Sequence, residues 1–167
     1  MILALDCATS TGWCAGDGSA VPILGSVQMP SGVEPGPFCD FWRRWIEHHL
    51  ADIKPSIVIF EAPFIHSNMN GTTMRKLIGL ANETEVACLR ARIPCEETTP
   101  SHVKKVLTGD GRAEKPDMMR MAQKCGLKPK THDEADAFGV WIAALHHHAR
   151  QYQQHWDTLR FKGGSLL

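Results

Sequence analysis

The sequence predicts an α/β domain built on a mixed five-stranded sheet flanked by helices. Three observations carry that prediction. Residues 1–6 and 56–61 are short, continuously apolar runs rich in Ile, Leu and Val, the pattern of central strands buried on both faces. Each run closes on a carboxylate, Asp6 and Glu61. Between them lie two segments of strand character and one of helical period, and beyond them helical segments dominate.

In order along the chain, residues 12–15 and 23–29, bounded by Gly and Pro, read as hairpin strands following the first. Residues 37–52 place Phe38, Phe41/Trp42, Trp45/Ile46 and His49/Leu50 at helical spacing, and Lys54-Pro55 ends the helix. Three strands, a helix and another buried strand imply a crossover that sets 56–61 parallel to 1–6, and such crossovers are right-handed in nearly all cases. Asp6 and Glu61 then meet at one edge of the sheet. A loop over 62–71 carries Phe64 and His66. A long helix is expected over 72–92, with Leu77, Leu80/Ala81, Thr84 and Cys88 on one side, and a short last strand over 93–98 with Pro94 at its start. Helices are expected at 100–107, 114–125 and 131–148. Residues 1–150 read as one domain, and 151–167 as a polar, Gly-containing tail that is loosely held.

A chain of 167 residues suits a single domain that buries roughly 70% of its unfolded surface. No run approaches the roughly 18 apolar residues of a membrane-crossing helix. The chain begins directly on its first strand-like segment, without a charged leader, so it reads as cytoplasmic. Its six cysteines contain no C-x-x-C pair and read as buried free thiols. Consecutive histidines at 48–49 and 146–148 diverge around a helix and read as solvated faces. The net charge is zero, yet residues 101–130 carry 8 Lys/Arg against 3 Asp/Glu. That stretch is either a phosphate-holding patch beside an acidic site or simply a solvated face.

The last helix is the most informative. Thr131 and Glu134 fit a capping box, so the helix starts there, and Ala137, Val140/Trp141 and Ala144/Leu145 mark its buried stripe. Asp133 and Asp136 continue that stripe toward the helix start, because each lies one step of four from an apolar member. Favourable interaction with the helix dipole, about 0.3 to 1 kcal/mol, accounts for Asp133 without any function. Asp136 lies deeper and needs a partner. If this helix packs on the sheet, Asp6, Glu61, Asp133 and Asp136 converge. Each like-charged pair at about 4 Å then costs roughly 4 kcal/mol at an effective dielectric near 20, which only cations or protons offset. Hard oxygen ligands suit Mg²⁺ or Mn²⁺, and a pair of such ions supports in-line phosphodiester cleavage.

The run Leu3-Ala-Leu-Asp-Cys-Ala-Thr-Ser-Thr-Gly-Trp13 resembles the first motif of the RuvC-type Holliday-junction resolvases, and Ile57-Val-Ile-Phe-Glu-Ala-Pro-Phe64 the second. Val103-Lys-Lys-Val-Leu-Thr-Gly-Asp-Gly-Arg-Ala-Glu-Lys115 is similar to their DNA-contacting segment, and His132-Asp-Glu-Ala-Asp-Ala137 to their final motif. The matches come in family order and span about 130 residues. The resemblance implies an RNase H-like fold, catalytic and metal-binding roles for Asp6, Glu61, Asp133 and Asp136, and two Mg²⁺ or Mn²⁺ ions per site. It implies phosphate contacts from Lys104 and Lys115, in a segment that also carries Lys105 and Arg112. Phe64 matches an aromatic that the family inserts near the junction crossover, the alternative being a packed loop anchor. The resemblance further implies a homodimer through the helix at 72–92, cutting four-way DNA junctions symmetrically to leave 5′-phosphates and 3′-hydroxyls. That helix could instead merely cover the sheet.

One departure is Cys7-Ala8, where the family usually has Pro-Gly. Other readings are a nuclease of the same fold acting on other branched, flap or hybrid nucleic acids, a non-catalytic junction-binding protein, and an actin-like phosphotransferase. The last rests on a vague likeness of residues 6–12 to a phosphate-gripping hairpin, and the chain has neither the second hairpin nor the room for a second lobe.

Overall fold

The structure, a computed structural model, describes residues 1–161. Strands β1 (Ile2–Asp6), β2 (Ser10–Gly16) and β3 (Ile23–Gln28) precede helix α1 (Pro35–Ile53). Then come β4 (Ile57–Glu61), α2 (Gly71–Ala91), β5 (Cys95–Thr98), α3 (Pro100–Thr108), α4 (Lys115–Lys124), α5 (His132–His148) and α6 (Gln153–Phe161). The five-stranded sheet has the order β3-β2-β1-β4-β5. β1 pairs antiparallel with β2 and parallel with β4, and β5 joins parallel to β4, so the expected mixed sheet and crossover are present.

Continuous burial of β1 and β4 follows from helices on both faces. Leu3, Leu5, Val58 and Phe60 point to one side, where Phe38, Trp42 and Ile46 of α1 and Leu80, Ala87 and Cys88 of α2 cover them. Ile2, Ala4, Ile57 and Ile59 point to the other, against α5. Helix α5 is buried at every position from Ala137 to Leu145, well beyond the expected stripe. The reason is a second layer: α3, α4 and α6 cover its outer side, and a helix enclosed all round carries apolar residues all round. Gly139 lets that layer close in, since a β-carbon there would lie 2.7 Å from Met118 Cε and 2.9 Å from Val103 Cγ1.

Several expectations need correction. The segment from residue 151 is not loose as far as it is described: a short 3₁₀ turn leads into α6, whose Trp156 and Leu159 enter the core. Trp156 donates from Nε1 to the Gly18 carbonyl at 2.9 Å, and two apolar side chains three apart suffice to seat a helix whose other residues are polar. Residues 162–167 of the expected tail lie outside the described residues. The histidine runs are not simply solvated, because His49 stacks on Trp45 with ring centroids 3.7 Å apart and His148 hydrogen-bonds Glu96 at 3.0 Å. All six cysteines are free, four of them buried.

Candidate active site

Parallel pairing of β1 and β4 puts Leu5 beside Phe60, so the two strands end together and their final residues, Asp6 and Glu61, reach the same edge of the sheet. Helix α5 begins over the neighbouring hairpin. Thr131 caps it by accepting the N–H of Glu134 at 3.1 Å. The expected reciprocal half of that cap is absent: the buried Glu134 carboxylate instead accepts the N–H of Lys130 at 2.6 Å and the hydroxyl of Ser26 at 3.4 Å. Glu134 thereby ties the start of α5 to β3, while Asp133 and Asp136 face the strand ends.

Asp133 is fixed by a hydrogen bond from Ser10 Oγ to its Oδ2 at 2.6 Å, with Lys115 Nζ 3.7 Å from its Oδ1. All four carboxylates are half-buried. Burial, followed by repulsion from Glu61, Asp136 and Asp133, holds the Asp6 carboxyl well above its ordinary range, with Lys115 opposing. Burial and Asp136 push Glu61 up to about 7, against the pull of Lys104 and Lys115. Burial likewise raises Asp136; Lys115 lowers it and Asp133 adds to the rise. Asp6 therefore senses the other three acids across the sheet edge, so the four carboxylates expected to converge lie near one another.

Oxygen donors of this hardness suit a divalent ion that keeps water and phosphate oxygens in its shell. No three His, Cys, Asp or Glu side chains among the described residues are gathered closely enough to enclose an ion.

The expected DNA-contacting residues divide. Lys104 and Lys115 stand by the acids and lower their proton affinity. Lys105, next on α3, turns away into a cleft against α6. Arg112 is exposed on the turn between α3 and α4, whose backbone is held by Asp110 Oδ1 accepting the Arg112 N–H at 2.9 Å. Phe64 is 72% exposed on the loop after β4, which rules out a packed anchor. Sequence reasoning missed Ser10 and Gly12. Ser10 meets Asp133 from 123 residues away and leaves no local signal. Gly12, the register partner of Asp6, follows a strand-end acid closely enough to have been suspected.

The family described as Crossover junction endodeoxyribonuclease RuvC matches residues 40–146, more than half of the chain. This chain belongs to the RuvC family. The RuvC of Corynebacterium jeikeium is 33% identical over 143 residues, covering 80% of this chain and 86% of the relative. That of Alkalilimnicola ehrlichii is 31% identical over 147 residues, covering 83% and 84%. In three dimensions the chain resembles Thermus thermophilus RuvC in complex with a Holliday junction substrate, with a TM-score of 0.71 and 21% identity over 93% of this chain and 96% of that one. This likeness establishes the RNase H-like fold. Membership of RuvC sets aside the actin-like phosphotransferase reading. Among the described residues no helix is long and apolar enough to cross a membrane.

Proposed function

We propose that this RuvC-family chain resolves four-way DNA junctions by hydrolysing phosphodiesters, with Asp6, Glu61, Asp133 and Asp136 as its metal ligands. One observation carries the assignment: carboxylates from two strand ends and one helix start meet at a single sheet edge, where burial and their repulsion raise the proton affinity of Asp6, Glu61 and Asp136. A fold kept merely for stability has no use for such repulsion, and a cation relieves it. Two bound Mg²⁺ or Mn²⁺ ions would supply activation of water and stabilisation of the leaving oxygen.

The chain's own residues do the rest. Lys104 and Lys115 hold the scissile phosphate against the acids, Ser10 orients Asp133, and Arg112 meets the backbone further out. Phe64, exposed three residues after Glu61, packs on bases where strands part. We assign these roles to a nuclease domain that extends past residue 150 to include α6, acting in the cytoplasm, and expect 5′-phosphate and 3′-hydroxyl ends by analogy with the family.

The chain acts as a homodimer through α2. Support comes from the outer side of that helix, where Met74, Ile78, Val86 and Leu89 are exposed at helical spacing while Leu80, Thr84, Ala87 and Cys88 pack inward. A two-fold pair brings two sites to one junction and gives symmetric nicks.

The test is Asp6→Asn assayed on a synthetic four-way junction with Mg²⁺. Loss of cutting with binding intact is expected, and surviving cleavage removes the assignment. Equal cutting of flaps or hybrids by the native protein would replace the junction as substrate.

A further inference from the structure

The function just proposed leaves one built feature unused. A cleft of about 800 Å³ opens between α3, the end of α5 and α6. Lys105 and His102, three apart on one side of α3, form one wall, and Arg150 forms another. Gln154 and Thr158 of α6 complete it with neutral polar groups. This is side-chain chemistry that contacts phosphate and sugar.

The charge of the cleft is positive. Asp157 is the acidic residue of its lining, and it is engaged by Arg160, which is buried and also donates to the Val106 carbonyl. Arg160 Nε has no hydrogen-bond partner among the described residues. Lys105 and Arg150 take part in no ion pair among the described residues. Arg150 is nonetheless oriented, its Nε–H donating to the His146 carbonyl at 3.1 Å.

Placement adds the second argument. Lys104 faces the acids and its neighbour Lys105 faces the cleft, so α3 links the two. Asp136 and Arg150 are 14 residues apart along and just beyond α5, a rise of roughly 20 Å at about 1.5 Å per residue. At about 3.4 Å per base pair, that is the reach of some six base pairs of duplex.

We propose that this cleft is a second DNA-backbone site, in which Lys105 and Arg150 grip phosphates of a junction arm, Arg150 about six base pairs from the cut. The inference rests on the junction-resolving reading and extends it to the path of the arm. Both side chains are exposed, so their replacement leaves the core untouched.

The experiment follows junction binding by the full-length chain in EDTA across a range of salt concentrations, for native protein and for Lys105→Gln with Arg150→Gln. Two lost phosphate contacts should make the slope of log K against log salt shallower by about 1.8. Neutral methylphosphonate linkages five to seven base pairs from the crossover should weaken the native protein and leave the double variant unaffected. An unchanged slope with native affinity would overturn the proposal and point to an acidic protein partner for the cleft. If the native chain neither binds nor cuts junctions, the reading beneath the proposal fails instead, and the two failures are told apart by the native protein alone.

Discussion

The main-chain carbonyl of Asp133 lies directly on Gly12, so closely that a β-carbon at position 12 would stand 1.9 Å from its oxygen. Gly12 is also the register partner of Asp6. One glycine therefore sets the gap between the acid of β1 and the acids of α5. Gly12→Ala should push the start of α5 off the sheet by an ångström or more. Overpacking of that kind costs about 1 to 3 kcal/mol in stability. Cleavage should suffer more, because a displacement of about 1 Å at reacting groups costs on the order of a hundredfold. Thermal unfolding and junction cleavage on the same sample check this, and native turnover in the variant would show that the gap has no such role.

The strained electrostatics of the acids give a stability signature. Glu61 titrates at about 7 in the folded chain against 4.5 ordinarily, so the folded state holds the extra proton and Glu61 opposes folding increasingly as pH rises from 4.5 through 7. The full contribution is on the order of 3 kcal/mol. His146 works in the opposite sense, since burial lowers it to about 4 and its contribution to stability rises with pH between there and 6.5. Comparing native protein with Glu61→Gln cancels the histidine. Without divalent ions, the two should be equally stable near pH 4.5, and Glu61→Gln should melt higher at pH 8. Millimolar Mg²⁺ should close that difference by stabilising only the native protein. Identical melting curves at pH 8 would mean that Glu61 is relieved by something other than a cation.

How much of this was legible before folding depends on where each signal resides. β1 and β4 announce themselves because burial on both faces forces an unbroken apolar run, and their terminal acids are visible by contrast. Asp133 and Asp136 are legible through the period of α5, which local sequence carries. The hydroxyl of Ser10 on Asp133 and the turn of Glu134 toward Lys130 and Ser26 are tertiary facts with no local trace. Helix α6 was hidden by composition: its anchor is Trp156 and Leu159 in a polar setting, and the partner that makes Trp156 fit is the Gly18 carbonyl, 138 residues earlier. Lys104 and Lys105 read alike in sequence, and only the roll of α3 separates the one at the acids from the one in the cleft.

Lys104 and Lys115 both lower the proton affinity of Glu61 and Asp136. On the proposed reading they have a second job, holding phosphate, besides sharing the charge of the acids. Replacing both with Ala should flatten the salt dependence of junction binding by about 1.8 in slope. In the absence of divalent ions it should also move the titration of Glu61 further above its already raised position. Unchanged slope together with an unchanged metal-free titration would count against their placement beside the acids.

On α2, Leu89 is 77% exposed and continues the line of Ile78 and Val86, away from the side that packs on α1. Such a position contributes little to the fold of one chain, and surface substitutions of this kind usually change stability by less than about 0.5 kcal/mol. A two-fold interface, however, presents each substitution twice, so Leu89→Glu would set two carboxylates into one apolar seam. Sedimentation equilibrium should show native dimers and a monomeric variant with native melting behaviour at low concentration. On a junction the variant should nick one strand without the paired second cut, because each site would then arrive alone. A Leu89→Glu chain that stays dimeric and still makes paired cuts would place the interface elsewhere.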